Sequence, residues 1–258
     1  MEIIGESMHI MNPQFLKALE ELDDESLVQL ARSQVEAGAT ALDINLGQSR
    51  KLGRLTPWLV ETIQDRLEVP LFLSSHVLSQ QRALEIHRGR ATINAVTASR
   101  TELNRAMKIA KFFQANLVVL LVSSELTPTD VNGRLQLAMQ VLETAETTGL
   151  SPDQLYLDPV IGCRPDPASW NLSAGLPDID VVLESIQLVK ELSSRPPKTI
   201  VAISNSSVCL SRSERSSFHC RLLPLLAEAG LDTVIMNCLD TNLMAVARES
   251  RVPLASAA

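Results

Sequence analysis

Short runs rich in β-branched and apolar residues alternate with longer stretches of helical spacing along the whole chain, and that alternation is the strongest constraint on its fold. The short runs fall at Glu2–Gly5, Ala39–Ile44, Pro70–Leu73, Ala91–Asn94, Leu117–Val122, Gln154–Leu157, Thr199–Ile203 and Thr233–Met236, eight in all. Helical spacing fills Asp24–Ala37, Pro57–Leu67, Gln80–His87, Glu102–Phe113, Gly133–Thr148, Asp178–Leu192, Arg215–Ala229 and Thr241–Glu249. In the first of these, Leu27, Leu30, Ala31 and Val35 share one face and Glu25, Gln29, Arg32 and Glu36 the other, so the apolar face must pack on a sheet. Strict βα alternation requires right-handed crossovers and a parallel sheet. Eight units in 258 residues predict an α/β chain closed as a (β/α)8 barrel. No Gly/Ser-rich or Pro-rich linker and no shift in composition divides the sequence, so residues 1–258 are read as one domain. The polar, Pro-rich segment Gly162–Pro177, with Trp170, is read as a loop over the barrel mouth.

Charge and composition narrow the partners. A net charge of -7, with no basic stripe, argues against nucleic acid and anionic membranes, both of which need clustered Lys and Arg. The segment "MEIIGESMHI" lacks the basic and apolar regions of a secretory leader, and no apolar run approaches ~18 residues, so a cytoplasmic protein is expected. Cys163, Cys209, Cys220 and Cys238 form no CxxC pair and the histidines no HExxH spacing, so free thiols are expected and no metal site.

A barrel of this kind places its chemistry at the C-terminal ends of the strands. Those ends read Glu6; Asp43 and Asn45; Ser74, Ser75 and His76; Asn94; Ser123, Ser124 and Glu125; Asp158; Ser204, Asn205, Ser206 and Ser207; and Asn237 and Asp240. All eight strands are thus expected to point polar groups at one rim. A lone Asp or Asn among apolar neighbours, as in "ALDINLG", "ATINAV", "LYLDPVIG" and "AISNSSV", needs a partner, because an unsatisfied buried polar group costs roughly 1 to 3 kcal/mol. Carboxylates and amides without a Lys or Arg at a strand end, a P-loop or a GxSxG turn disfavour a phosphate ligand. They suit a flat neutral heterocycle with N–H donors.

The motifs "IIGES", "AGATALDINLG", "TINAV", "LYLDPVIG", "ISNSS" and "AGLDTVIMNCLD", in this order, resemble the pterin-binding barrel superfamily, and within it the methyltetrahydrofolate:corrinoid protein methyltransferases. The resemblance implies a barrel of the dihydropteroate synthase-like type that binds methyltetrahydrofolate, a corrinoid brought by a partner protein, and a homodimer. It implies that Asp158 grips the pterin's N–H donors, that Asn94 contacts the ring, and that Asn205 sits at N5 as the catalytic residue. Asp43 and Asn45 match the family's pair on the second strand, and Glu6, Ser74 and Ser204 complete the expected pocket. Ser74 stands where the family usually has a second pterin-binding Asp, Ser7 and His9 where it has Arg and Asn, Ser123-Ser124 where relatives often have Asn-Lys, and Val208 where a Gln is common. Two alternatives stay open: a non-catalytic barrel that binds a pterin or a partner protein, and a dihydropteroate synthase. The second is disfavoured because "AISNSSV" has neither the Lys nor the Arg of that enzyme's seventh strand.

Overall fold

The computed structural model describes residues 1–47, 49–124, 128–162, 179–208 and 210–250. The chain begins with β1 (Glu2–His9), α1 (Pro13–Glu21), α2 (Asp24–Ala37) and β2 (Ala41–Asn45). It continues through α3 (Arg50–Gly53), α4 (Thr56–Gln64), β3 (Leu71–Leu73), α5 (Arg82–Ile86), β4 (Thr92–Thr97) and α6 (Arg100–Phe112). Then come β5 (Asn116–Leu120), α7 (Val131–Thr148), β6 (Leu155–Asp158), α8 (Ile179–Val189), β7 (Lys198–Ala202), α9 (Arg212–Glu228), β8 (Thr233–Met236) and α10 (Thr241–Glu249). The strands close in sequence order, β1 to β8, into a parallel barrel, and β8 pairs back on β1 with Ile235 opposite Ile4. The expected (β/α)8 architecture is therefore the observed one.

Local chemistry sets the elements. In α2, Asp23 accepts from the Ser26 amide at 3.1 Å, Asp24 and Glu25 lie in the first turn where the helix dipole favours anions, and Leu27, Leu30 and Ala31 are buried. Gly38, at φ 118°, ends it in the left-handed region that side chains avoid. The unforeseen α1 follows the same rules: Asn12 accepts from the Gln14 amide at 3.1 Å, Pro13 opens the helix, and Phe15, Ala18 and Leu19 are buried.

Several boundaries move. β1 runs on to His9, β4 runs on to Thr97, and β5 stops at Leu120 rather than Val122. β7 stops at Ala202, so Ile203–Ser207 is one 3-10 turn, not a strand end followed by a loop. Ser206 Oγ closes that turn on the Ile203 carbonyl at 2.6 Å. The expectations for Glu125, Trp170, Cys163 and Cys209 fall outside the described residues, whereas Cys220 is a free thiol and Cys238 is buried. Among the described residues, no helix is long and apolar enough to cross a membrane.

Side chains alternate along each strand. Outward residues such as Ile3, Leu42, Ile44, Leu71, Leu73, Ile93, Leu117, Val119, Leu157, Val201 and Val234 pack under the helices as the main core. Inward, Ile4, Ala41, Phe72, Val118, Tyr156, Ile200 and Ile235 form a separate apolar layer across the barrel. That layer is the floor of the site.

Candidate functional site

Two residues beyond the floor, the strand period returns side chains to the interior, where the sequence changes from apolar to polar. Glu6 follows Ile4, Asp43 follows Ala41, Ser74 follows Phe72 and Asp158 follows Tyr156. β5 departs from the expected polar rim. Its inward residue here is Leu120, in register with Asp158, while Ser123 and Ser124 line a side pocket of about 820 Å³ with Ser75, Ser99, Arg100 and Arg105.

Among the described residues, burial dominates the environment of these acids, and only Asp158 has a cation, Arg134, acting on it. Asn94 Nδ2 donates to Asp43 Oδ1 at 2.8 Å, and the Asn94–Ala95 peptide is cis. Burial raises the Asp43 carboxyl to about 6 against that stabilising bond. Glu6 is raised to about 7, chiefly by burial and further by the nearby Asp43 charge, while a hydrogen bond from Ser204 opposes the rise. Asp158, 8% exposed, is also raised to about 7 by burial, opposed by the Val160 amide, which donates to its Oδ1 at 2.7 Å, and by the charge of Arg134. The result is a set of buried carboxyls that pass between acid and carboxylate near neutral pH, and that offer acceptors to whatever enters.

Other expected site residues have local employment. Ser74 Oγ donates to the Ile44 carbonyl at 2.8 Å and accepts from the Leu46 amide at 3.0 Å, so it staples β3 to the end of β2. Asn45 Oδ1 accepts from the Gly47 amide at 3.0 Å, which shapes the turn after β2. On the 3-10 turn after β7, Ser204 reaches Glu6, and Asn205 beside it is exposed at the barrel's C-terminal end. Asn237 is likewise exposed, and Asp240 caps α10 by accepting from the Asn242 and Leu243 amides at 3.1 Å. Glu6 thus pairs with Ser204 and Asp43 with Asn94, the Asp43 charge reaches Glu6, and Asp158 stands at the end of β6.

Two supporting residues were not anticipated. His219 on α9 bonds Ser207 Oγ at 2.8 Å, and Ser207 Oγ donates to the Ser204 carbonyl at 3.1 Å, bracing the turn that carries Asn205. Arg134 on α7 is fully buried, and burial pulls its guanidinium down to about 10. Its trace in the sequence is a charge on the apolar face of a helix, in line with Leu137, Ala138 and Val141.

Comparison with known proteins bears on the family and the fold. Over 167 residues the chain is 25% identical to the methylcorrinoid:tetrahydrofolate methyltransferase of Eubacterium limosum; the match spans 62% of this chain and 61% of that relative, under two thirds of its length. Dihydropteroate synthases share the fold at low identity. The Xanthomonas albilineans enzyme in complex with indole-2-carboxylic acid and 6-chloroguanine superposes with a TM-score of 0.71 at 14% identity, over 98% of this chain and 93% of that one. The Coxiella burnetii enzyme in complex with pteroic acid gives 0.68 at 15% identity, over 97% and 93%. Residues 10–237, which include every candidate named above except Glu6 and Asp240, match the family described as pterin binding enzymes, and this chain belongs to that family.

Proposed function

We propose that the barrel mouth binds the pterin ring of methyltetrahydrofolate and that the protein transfers the N5-methyl group to or from the cobalt of a separate corrinoid protein. The observation that carries this reading is the set Glu6, Asp43, Asn94 and Ser204, with Asp158, above an apolar floor. A 2-amino-4-oxopyrimidine ring presents adjacent N–H donors. A buried carboxylate facing them gains the hydrogen bonds that burial has denied it. The likeness to the Eubacterium limosum enzyme supports the methyl chemistry.

Methyl transfer breaks the N5–CH3 bond and leaves its electron pair on nitrogen. A tertiary amine leaves poorly, so N5 must receive a proton or a strong hydrogen bond. Asn205 offers both an N–H donor and a carbonyl acceptor and serves either form of N5. Glu6, which titrates near neutrality and bonds the adjacent Ser204, is suited to hold the proton. The corrinoid, as co-substrate, supplies the metal nucleophile or methyl donor, and this chain's share is positioning and electrostatics. A homodimer is part of the proposal and a single domain remains the reading of the sequence.

The second reading is a barrel that has lost turnover. It is favoured by Ser74, whose hydroxyl is committed to Ile44 and Leu46 at the position where relatives place a carboxylate. Anaerobic incubation with methyltetrahydrofolate and reduced corrinoid protein separates the two. The enzyme reading expects growth of the methylated corrinoid absorbance and its loss in Asn205→Ala. No transfer by the wild type, together with transfer gained by Ser74→Asp, would establish the second.

A further inference from the structure

Arg134 is buried more deeply than a guanidinium ordinarily is. It is 0% exposed, and Nη1 donates to the Leu121 carbonyl at 2.7 Å, whereas Nε and Nη2 meet no acceptor among the described residues. A desolvated cation of this kind is retained only where an anion faces it or is to face it. Two anions act on it: Asp158, and Asp130 one helical turn earlier. Asp130 is engaged at the helix start, where Oδ1 accepts from the Gly133 amide at 2.8 Å. Asp158 is the buried one, at the mouth.

A hydrogen-bonded route joins Arg134 to Asp158. The Leu121 amide donates to the Asp158 carbonyl at 2.8 Å, so Leu121 is gripped by Arg134 through its carbonyl while its N–H holds the backbone that carries the acid. Among the described residues, no other charge replaces this one. β5 carries no titratable side chain, and Asp180 and Glu184 of α8 are exposed. Tyr156 and Lys198 bond each other at the far end of the barrel, and Glu6 and Asp43 act on one another across the mouth.

We propose that Arg134 is the positioning residue for Asp158: through Leu121 it fixes the end of β6, and it supplies the buried positive charge that an anionic Asp158 carboxylate faces when it receives the ligand's N–H donors. The proposal rests on the pterin-pocket reading for the ligand, but its first test needs no ligand. Carbon-13 NMR of aspartate-labelled protein follows the Asp158 carboxyl, assigned by its disappearance in Asp158→Asn. Arg134→Gln keeps a donor for Leu121 and removes the charge. It is expected to raise the Asp158 midpoint by about one pH unit, while Arg134→Lys stays near the wild type. Titration with 5-methyltetrahydrofolate should then weaken about tenfold in Arg134→Gln at pH 6 and return toward wild type by about pH 9. A purely structural role would weaken binding equally at every pH.

An unmoved midpoint in Arg134→Gln overturns the proposal whether or not folate binds. A moved midpoint in a protein whose wild type binds no folate upholds the role of Arg134 and overturns the ligand assignment instead. Should Arg134→Gln not fold, Arg134→Lys decides: a preserved midpoint with folate affinity near the wild type at every pH supports the proposal, and a midpoint displaced upward contradicts it.

Discussion

At the N-terminal end of the barrel, Glu2 accepts from Lys198 Nζ at 3.2 Å, from Thr233 Oγ1 at 3.3 Å and from the Tyr156 hydroxyl at 3.5 Å. At the other end, four residues along the same strand and on the same face, Glu6 has a serine hydroxyl for a partner and a second carboxyl for a neighbour. The floor of Ile4, Phe72, Val118 and Ile235 separates them. Similar inward positions thus give a bonded polar plug at one end and, among the described residues, a set of underbonded acids at the other. A polar group inside a barrel is a site only where its bonding is incomplete.

The largest effect that would break this contrast is on turnover. Asn205→Ala should lower kcat by about 10² to 10³ with folate affinity held within a few-fold, measured by single-turnover methyl transfer. Asp43→Ala leaves Asn94 without its 2.8 Å acceptor and removes a carboxylate from the mouth, and calorimetry should show folate affinity lower by about tenfold.

Stability against pH sharpens the contrast next. Glu6 sits at about 7 in the folded protein against 4.5 for the free group, so the folded state prefers its acid form, and the stability this gives below pH 4.5 is lost as pH rises through 7. Glu6→Gln should therefore match wild type in unfolding free energy near pH 4 and exceed it at pH 8, by on the order of 1 to 3 kcal/mol, measured by denaturant unfolding at the two pH values. Asp43 and Asp158, also raised, act in the same direction. The smallest effect belongs to the plug. Lys198→Met should cost about 1 kcal/mol in denaturant unfolding and leave folate binding unchanged, because its pairs with Glu2 and Tyr156 are half exposed and distant from the mouth.

The barrel was legible because hydrophobic period reports directly on strand and helix, and the eight strands were each found within a few residues of their observed place. α1 was not legible although Asn12, Pro13 and the buried Phe15, Ala18 and Leu19 spell a capped amphipathic helix, because 9 residues offer only these three buried positions to a periodic pattern. Within the site, period two placed Glu6, Asp43 and Asp158 on the inward face. It could not show that Ser74 would be consumed by Ile44 and Leu46, because those partners depend on the register of β3 against β2. The same holds for Glu6 and Ser204, which meet only after the barrel closes, and for Arg134, whose environment is made by the ends of β5 and β6.

The central claim is that the underbonded acids at the mouth are pterin acceptors. Calorimetric titration of the wild type and Asp158→Asn with 5-methyltetrahydrofolate at pH 8, where the acid is largely ionised, tests it most directly. The account predicts saturable binding by the wild type, weakened at least about tenfold in Asp158→Asn while Tm is kept. Equal affinity in the two proteins, or no binding by a folded wild type, would contradict it.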